Sequence, residues 1–257
     1  MPEWYDSVWL SAYYAATDVV ARVAPSRLDE FVRSFDILRT NSSFATRNLP
    51  NVLSSEMLEH VRGVIQAVPK DKLELHEMQA FGRFVVHDIP EFSELQNSLV
   101  EQVSGWAGEP LEPSYNFLSL YTRMGVCDPH LDSPSAKWTL DLCIDQSDPW
   151  PIHVSQVVPW PDKSASMGEN WSASIKEDSS LKFSSAILNP GDAILFSGSS
   201  QWHYRDALPR DGAKRHCDLL FMHFIPRGSA ELVRPKNWPS LFDIPELASI
   251  PGLEGAF

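Results

Sequence analysis

Between Tyr115 and Ile225 the chain falls into short apolar runs divided by turn residues. The runs are Tyr115 to Arg123, Lys137 to Ile144, Ile152 to Val158, Leu181 to Leu188, Asp192 to Phe196 and Arg215 to Ile225. Asn189-Pro190-Gly191 and Pro209-Arg210-Asp211-Gly212 are two of the dividers. Runs of this length and spacing read as strands of an antiparallel sandwich or barrel, not as a helix bundle.

The region before them reads as helix. Trp9, Tyr13, Ala16 and Val20 recur at helical spacing. Ser26, followed by Glu30, marks one helix start, and Ser54-Ser55-Glu56 marks another whose buried face is Leu58, Val61 and Ile65. Residues 75–86 read as a strand, and 90–106 as a helix with Leu95, Leu99 and Val103 at its buried face. The expected organisation is one domain over 1–257. It comprises a helical part (1–75), a β core (76–226), and a Pro-rich tail (227–257) that packs as irregular chain. A polar, Ser-rich insert near 162–180 reads equally as an active-site lid or a plain surface loop. Trp150, Trp160 and Trp171 read as its anchors.

Composition removes several partners. The net charge is -13, which opposes a nucleic-acid backbone or an anionic membrane. No run approaches the ~18 apolar residues of a membrane span. The first residues lack a basic n-region, so no secretory signal is expected. Cys127, Cys143 and Cys217 have no CxxC spacing and read as buried free thiols in a cytoplasmic protein.

The chemistry concentrates in Asp128-Pro129-His130-Leu131-Asp132-Ser133-Pro134 and in Gln201-Trp202-His203-Tyr204-Arg205. Residues two apart on an extended strand share a face, so His130 and Asp132 project together. With His203 they make two imidazoles and one carboxylate, the ligand set of non-haem Fe(II) oxygenases. Such a set leaves three adjacent coordination positions open. The competing reading makes His130 and Asp132 a loop-end pair and His203 a core histidine.

In order and spacing, Tyr121, His130-Leu131-Asp132, Asn189-Pro190-Gly191-Asp192-Ala193-Ile194-Leu195-Phe196, His203 and Arg215 resemble the Fe(II)/2-oxoglutarate-dependent dioxygenases, nearest their prolyl 4-hydroxylase-like branch. The likeness spans roughly residues 115–226, under half the chain. It implies a double-stranded β-helix (a jelly-roll, cupin-like fold) braced here by helices. It also implies Fe(II) on His130, Asp132 and His203, and 2-oxoglutarate and dioxygen as cosubstrates. In that family a basic residue about a dozen positions past the last histidine holds the distal carboxylate of 2-oxoglutarate. Arg215, twelve positions after His203, is the first choice, with Arg210 and Lys214 as competitors. Tyr121 matches a position where the family often places a hydroxyl near 2-oxoglutarate, and reads equally as a core tyrosine.

A filled carboxylate position at Asp132 argues for hydroxylation over the radical halogenation of relatives that carry a small residue there. A looser likeness to free amino-acid hydroxylases and halogenases makes a small metabolite, a free amino acid, the expected substrate. Arg83, Glu112, Asn116 and Trp238 are the candidates for its pocket. For Arg83 and Glu112 the competing reading is a surface charge, and for Trp238 a packed tail anchor. His223 is in phase with Arg215 and is expected near the same cavity, while His60 reads as solvated. Lys137-Trp138 reads as wall packing, with substrate contact the alternative. Three rivals remain: a hydroxylase of a residue within a peptide, a cupin-like metal enzyme that does not use 2-oxoglutarate, and a non-catalytic jelly roll. The sequence leaves a monomer and a homodimer equally open.

Overall fold

The computed structural model describes residues 7–162, 170–209, 211 and 213–250. Its elements are α1 (Val8–Val23), α2 (Leu28–Ser34), β1 (Arg47–Leu49), α3 (Ser55–Ala67), α4 (Met78–Phe81), β2 (Arg83–His87), α5 (Pro90–Ala107), β3 (Leu111–Tyr121), β4 (Cys127–His130), β5 (Trp138–Gln146), β6 (Ile152–Val154), α6 (Trp171–Glu177), β7 (Ser184–Ala186), β8 (Ala193–Phe196), β9 (His203–Arg205), β10 (Cys217–Pro226) and α7 (Trp238–Leu241).

Two antiparallel sheets face each other. The larger has the order β1-β8-β5-β10-β3-β2 and the smaller β4-β9-β6-β7. From β3 onward the chain crosses back and forth between them, so sequence neighbours such as β3 and β4 lie in different sheets. This is the double-stranded β-helix expected from the sequence. β1 and β2 extend the edges of the larger sheet.

The larger sheet is buried on both faces, which is why β5 and β8 read as near-continuous apolar runs. Leu118, Leu140, Leu142, Leu220 and Met222 pack outward with Leu58 and Val61 of α3 and Phe92, Leu99 and Val103 of α5. Tyr121, Ile194, Phe196 and Leu219 face inward with Trp150 and Ile152. A third core joins the two ends of the chain. Trp9 and Tyr13 of α1, Phe31 and Phe35, Trp160, and Trp238 and Phe242 of the tail form one aromatic cluster. Trp9 meets Trp238 edge-on at 5.5 Å and Trp160 at 5.4 Å.

Several expectations are corrected in detail. Residues 75–86 are not one strand. Met78–Phe81 is a helical turn closed by Gly82 at φ 68°. A Cβ there would lie 2.2 Å from the Met124 carbonyl oxygen, so the reversal needs glycine. Ser26 lies inside a 3-10 turn and does not cap α2, whereas Ser54 does accept from the Met57 N–H at the start of α3. The helical N-terminal part also contains a strand, β1, because its backbone completes the edge at β8. The tail is not irregular: it forms short helical turns around the fully buried Trp238.

Within the insert, Trp171–Glu177 forms α6. Ser172 of α6 donates to Asp128 of β4, and Lys176 pairs with Asp206. Met167-Gly168-Glu169 lies outside the described residues, as does Arg210. Trp150 and Trp160 are buried within the chain. Among the described residues, no helix is long and apolar enough to cross a membrane.

Candidate active site

His130 and His203 are brought together by strand pairing. They sit directly opposite each other on β4 and β9, with ring centroids 4.1 Å apart. Asp132 follows just past the end of β4, where its N–H donates to the Gly198 carbonyl. Its Oδ1 lies 3.4 Å from His130 Nε2 and 3.6 Å from His203 Nε2. Donors held ~2.1 Å from one metal ion at right angles are about 3 Å apart, and the three ligand atoms here lie within 4.8 Å of one another.

The tautomers fit that use. His130 Nδ1 donates to the Asp128 carbonyl at 2.8 Å, and His203 Nδ1 to the Gln201 carbonyl at 2.9 Å. Each ring is thereby set with its Nε2 turned toward Asp132, the nitrogen left for a metal ion. Burial would push the Asp132 carboxyl up, but His203 and His130 outweigh it and hold it well below its ordinary value. Thr139 donates to the other oxygen, Oδ2, at 3.1 Å. Gly198 is required behind it: a Cβ would fall 2.1 Å from Asp132 Oδ2. The donor set, tautomers and support all suit a divalent cation with part of its coordination sphere open.

The three groups line a cavity between the sheets with about 540 Å³ of empty space, part of it open to solvent. One wall is aromatic, from Tyr115, Phe117, Phe221 and His223. Tyr115 stacks on His223 at 4.2 Å and marks the mouth, being 37% exposed. Two buried guanidiniums reach the same cavity. Arg205 is bound to the Asp141 carboxylate at 2.8 Å and to the Trp150 carbonyl. Arg83 is ion-paired to Glu77 and donates to Tyr121 Oη at 2.8 Å. Burial pushes the Tyr121 phenol up, so it stays protonated. Having accepted from Arg83, its own O–H points a second donor at any anion placed there.

Arg215 is elsewhere. It precedes β10 in a loop, and its guanidinium sits between Asp148, at 2.7 Å, and Asp211. It does not line the cavity. The twelve-residue spacing fails because β9 ends at Arg205 and β10 begins only at Cys217, two residues after Arg215. Lys214 is exposed in the same loop.

Of the four substrate candidates, only Arg83 reaches the cavity. Asn116 is turned to the other face of β3, where it donates to Gln96 and Ser93 of α5. Glu112 lies at the far end of β3, opposite Ile225. Trp238 is in the aromatic cluster, with its indole N–H on the Leu232 carbonyl. His223 lines the cavity, although Arg215, the residue whose phase it was expected to share, does not. Arg205, Asp141 and Thr139 were not singled out from sequence. Their signal was a polar residue in phase with His203 (Arg205) or set into the apolar run of β5 (Thr139, Asp141). Cys127 is half-buried and lines the cavity, unlike the buried Cys143 and Cys217. Lys137 and Trp138 do not line the cavity: Lys137 is held by Glu109 at 2.6 Å and the Ile37 carbonyl, and Trp138 packs on Phe44.

No family model matches the sequence, and no curated protein matches it. Solved structures do. HygX from Streptomyces hygroscopicus, described with nickel, 2-oxoglutarate and hygromycin B bound, superposes with a TM-score of 0.54 at 15% identity, over 77% of this chain and 86% of that one. SnoN, a non-heme alpha-ketoglutarate-dependent epimerase from nogalamycin biosynthesis, gives 0.52 at 14% identity, over 74% and 84%. AviO1 from Streptomyces viridochromogenes gives 0.51 at 15% identity, over 77% and 95%. The chain shares their fold. In this double-stranded β-helix fold the His130–Asp132–His203 cluster sits inside the barrel, at the β4–β9 pair.

Proposed function

We propose that this protein is an Fe(II)- and 2-oxoglutarate-dependent oxygenase that hydroxylates a small metabolite, a free amino acid being the first choice. One observation carries the reading. Two imidazoles with backbone-fixed tautomers and one ionised carboxylate converge in a cavity that also holds a buried cation suited to a dicarboxylate. Nickel with 2-oxoglutarate in HygX, on the same fold, supports the ligand pairing.

His130, Asp132 and His203 would hold the iron. Bound there with 2-oxoglutarate and dioxygen, it supplies the oxidising power for C–H cleavage. Arg83 and Tyr121 are the residues to hold the distal carboxylate of 2-oxoglutarate, in place of Arg215. Arg205 is less suited, because the fully buried Asp141 already neutralises it and would repel a second carboxylate. Arg83 donates to the neutral Tyr121 hydroxyl in the cavity, and its ion-pair partner Glu77 lies outside the lining. The sheets and the aromatic wall exclude water from the reacting C–H. The presence of Asp132 supports hydroxyl transfer, since a halide would need that ligand position.

The test is succinate formation from 2-oxoglutarate by anaerobically Fe(II)-loaded protein exposed to air, across free amino acids, with product mass read alongside. We expect one amino acid to raise the rate and gain one oxygen atom. Activity should vanish in Asp132→Ala, fall at least tenfold in Arg83→Gln, and persist in Arg215→Gln. Product formation without succinate would support the cupin-like alternative instead.

A further inference from the structure

Two acceptors in the cavity have no partner among the described residues: His223 Nε2 and Asp141 Oδ1. Both residues are buried, at 3% and 0% exposure. They are close in the wall, since His223 pairs with Thr139 and Phe221 with Asp141 across the β10–β5 ladder.

The polarity of His223 follows from a chain of hydrogen bonds. An ionised carboxylate only accepts, so the single Thr139 hydroxyl proton goes to Asp132 Oδ2. The Thr139 oxygen is then the acceptor for His223 Nδ1–H at 3.1 Å. That leaves His223 Nε2 as a bare lone pair in the cavity. Burial pushes this imidazole down to about 4, so it is neutral at pH 7. A buried acceptor is costly to leave without a donor, and a bound molecule that donates to it removes that cost.

2-Oxoglutarate cannot be that ligand. As a dianion it carries acceptors only, and its complements are the donors Arg83 and Tyr121 and a metal ion. The unpartnered acceptors suit a second molecule that brings N–H or O–H groups and takes the place of water there. The rings of Tyr115, Phe117 and Phe221 beside His223 favour a cation among such donors.

We propose that the substrate bears an ammonium group, and that His223 Nε2 accepts a hydrogen bond from it at the aromatic wall. This rests on the oxygenase reading and deepens it by naming the substrate's chemical class and the residue that selects it. Asp141 is the second acceptor, and Thr139 positions His223 by fixing its tautomer. The same Thr139 also supports Asp132, so one hydroxyl links the substrate subsite to the metal ligand.

Two measurements test it. Long-range 1H–15N spectra of the diamagnetic Zn(II)-substituted protein, with His223 assigned through His223→Phe, report the tautomer directly. The expected result is a protonated Nδ1 and a bare Nε2, and a protonated Nε2 would overturn the proposal. In the second, free amino acids are titrated anaerobically into the Fe(II)–2-oxoglutarate protein while its visible charge-transfer absorption is followed. An amino acid that perturbs the band should bind at least tenfold more weakly once its amine is removed. It should also bind at least tenfold more weakly to His223→Phe, and near-normally to His223→Gln, whose carbonyl restores an acceptor. Unchanged binding to His223→Phe, equal binding of the des-amino acid, or no amino acid acting on an intact band would each overturn it. Absence of the band in wild type is the separate failure of the oxygenase reading, and the tautomer spectrum then decides the acceptor alone.

Discussion

At the scale of single residues, the site depends on groups that never touch an ion. Asp132 is held by Thr139 on one oxygen and crowded by Gly198 behind it. Gly198→Ala places a methyl group where Asp132 Oδ2, the Ala136 carbonyl and Thr139 Oγ1 now lie, at 2.1, 2.5 and 2.6 Å. The carboxylate must swing away. We expect Fe(II) affinity to drop about 10–100-fold, the range for lost support of a metal ligand, measured by competition with a metallochromic chelator. Thr139→Val should give a drop of similar size and, through His223, a weaker response to substrate. Arg83 shows how much a single residue can disclose. A charge embedded in Phe81-Gly82-Arg83-Phe84-Val85 is unusual for a surface strand, and the structure buries it with Glu77 as its counter-ion.

At the scale of elements, strand phase was legible and strand ends were not. Tyr121 faces inward, so Tyr115 and Phe117 must too, and Asn116 must face α5. Parity alone therefore argues against Asn116 as a pocket residue. His223 lines the cavity, but the parity with Arg215 that pointed to it does not hold, since Arg215 lies outside β10. Arg215 was misplaced because counting from His203 assumes that the intervening chain stays in the barrel wall. β9 is only three residues long, and the chain after it leaves the wall. The His-x-Asp pair was legible because β4 is extended, while the facing of His130 by His203 required the β4–β9 register, which only the fold supplies.

β10 also makes a prediction about pH. Burial, with Asp145 nearby and His216 opposing, pushes Asp218 up to about 6. The folded state then holds this proton more tightly than the unfolded chain. The stabilisation is full below the ordinary aspartate value near ~4 and is lost as pH rises through about 6. Asp218→Asn should match wild type at pH 4 and exceed it above pH 6, by on the order of 1 kcal/mol after solvent screening. Urea denaturation midpoints at pH 4 and pH 7.5 check this, and equal midpoint differences at both would refute it.

At the scale of the whole molecule, the ends of the chain are fastened together behind the barrel. α1 and the tail meet in the aromatic cluster, and Trp9 and Trp238 both donate to backbone carbonyls near residues 232–233. Trp238 thus belongs to the scaffold and not to the substrate pocket. Trp238→Ala should destabilise the protein by ~3–5 kcal/mol, read by chemical denaturation, while leaving Fe(II) and 2-oxoglutarate affinities of the folded fraction unchanged. A selective loss of substrate affinity at full stability would contradict that assignment. The jelly roll itself was readable from the train of short runs, and its helical jacket from the periodicity of α1, α3 and α5. The closure of the two termini was not, because nothing in local pattern pairs Trp9 with Trp238.

The account stands or falls on His130, Asp132 and His203 holding Fe(II) in a cavity where Arg83 receives 2-oxoglutarate. The most direct measurement is an anaerobic titration of 2-oxoglutarate into Fe(II)-loaded protein, following the visible charge-transfer absorption of an Fe(II)–2-oxo-acid chelate. The band should saturate in wild type and in Arg215→Gln with similar affinity. It should require at least tenfold more 2-oxoglutarate in Arg83→Gln and be absent in His203→Ala. A wild-type protein that shows no band, or a band that weakens with Arg215→Gln and not with Arg83→Gln, would contradict it.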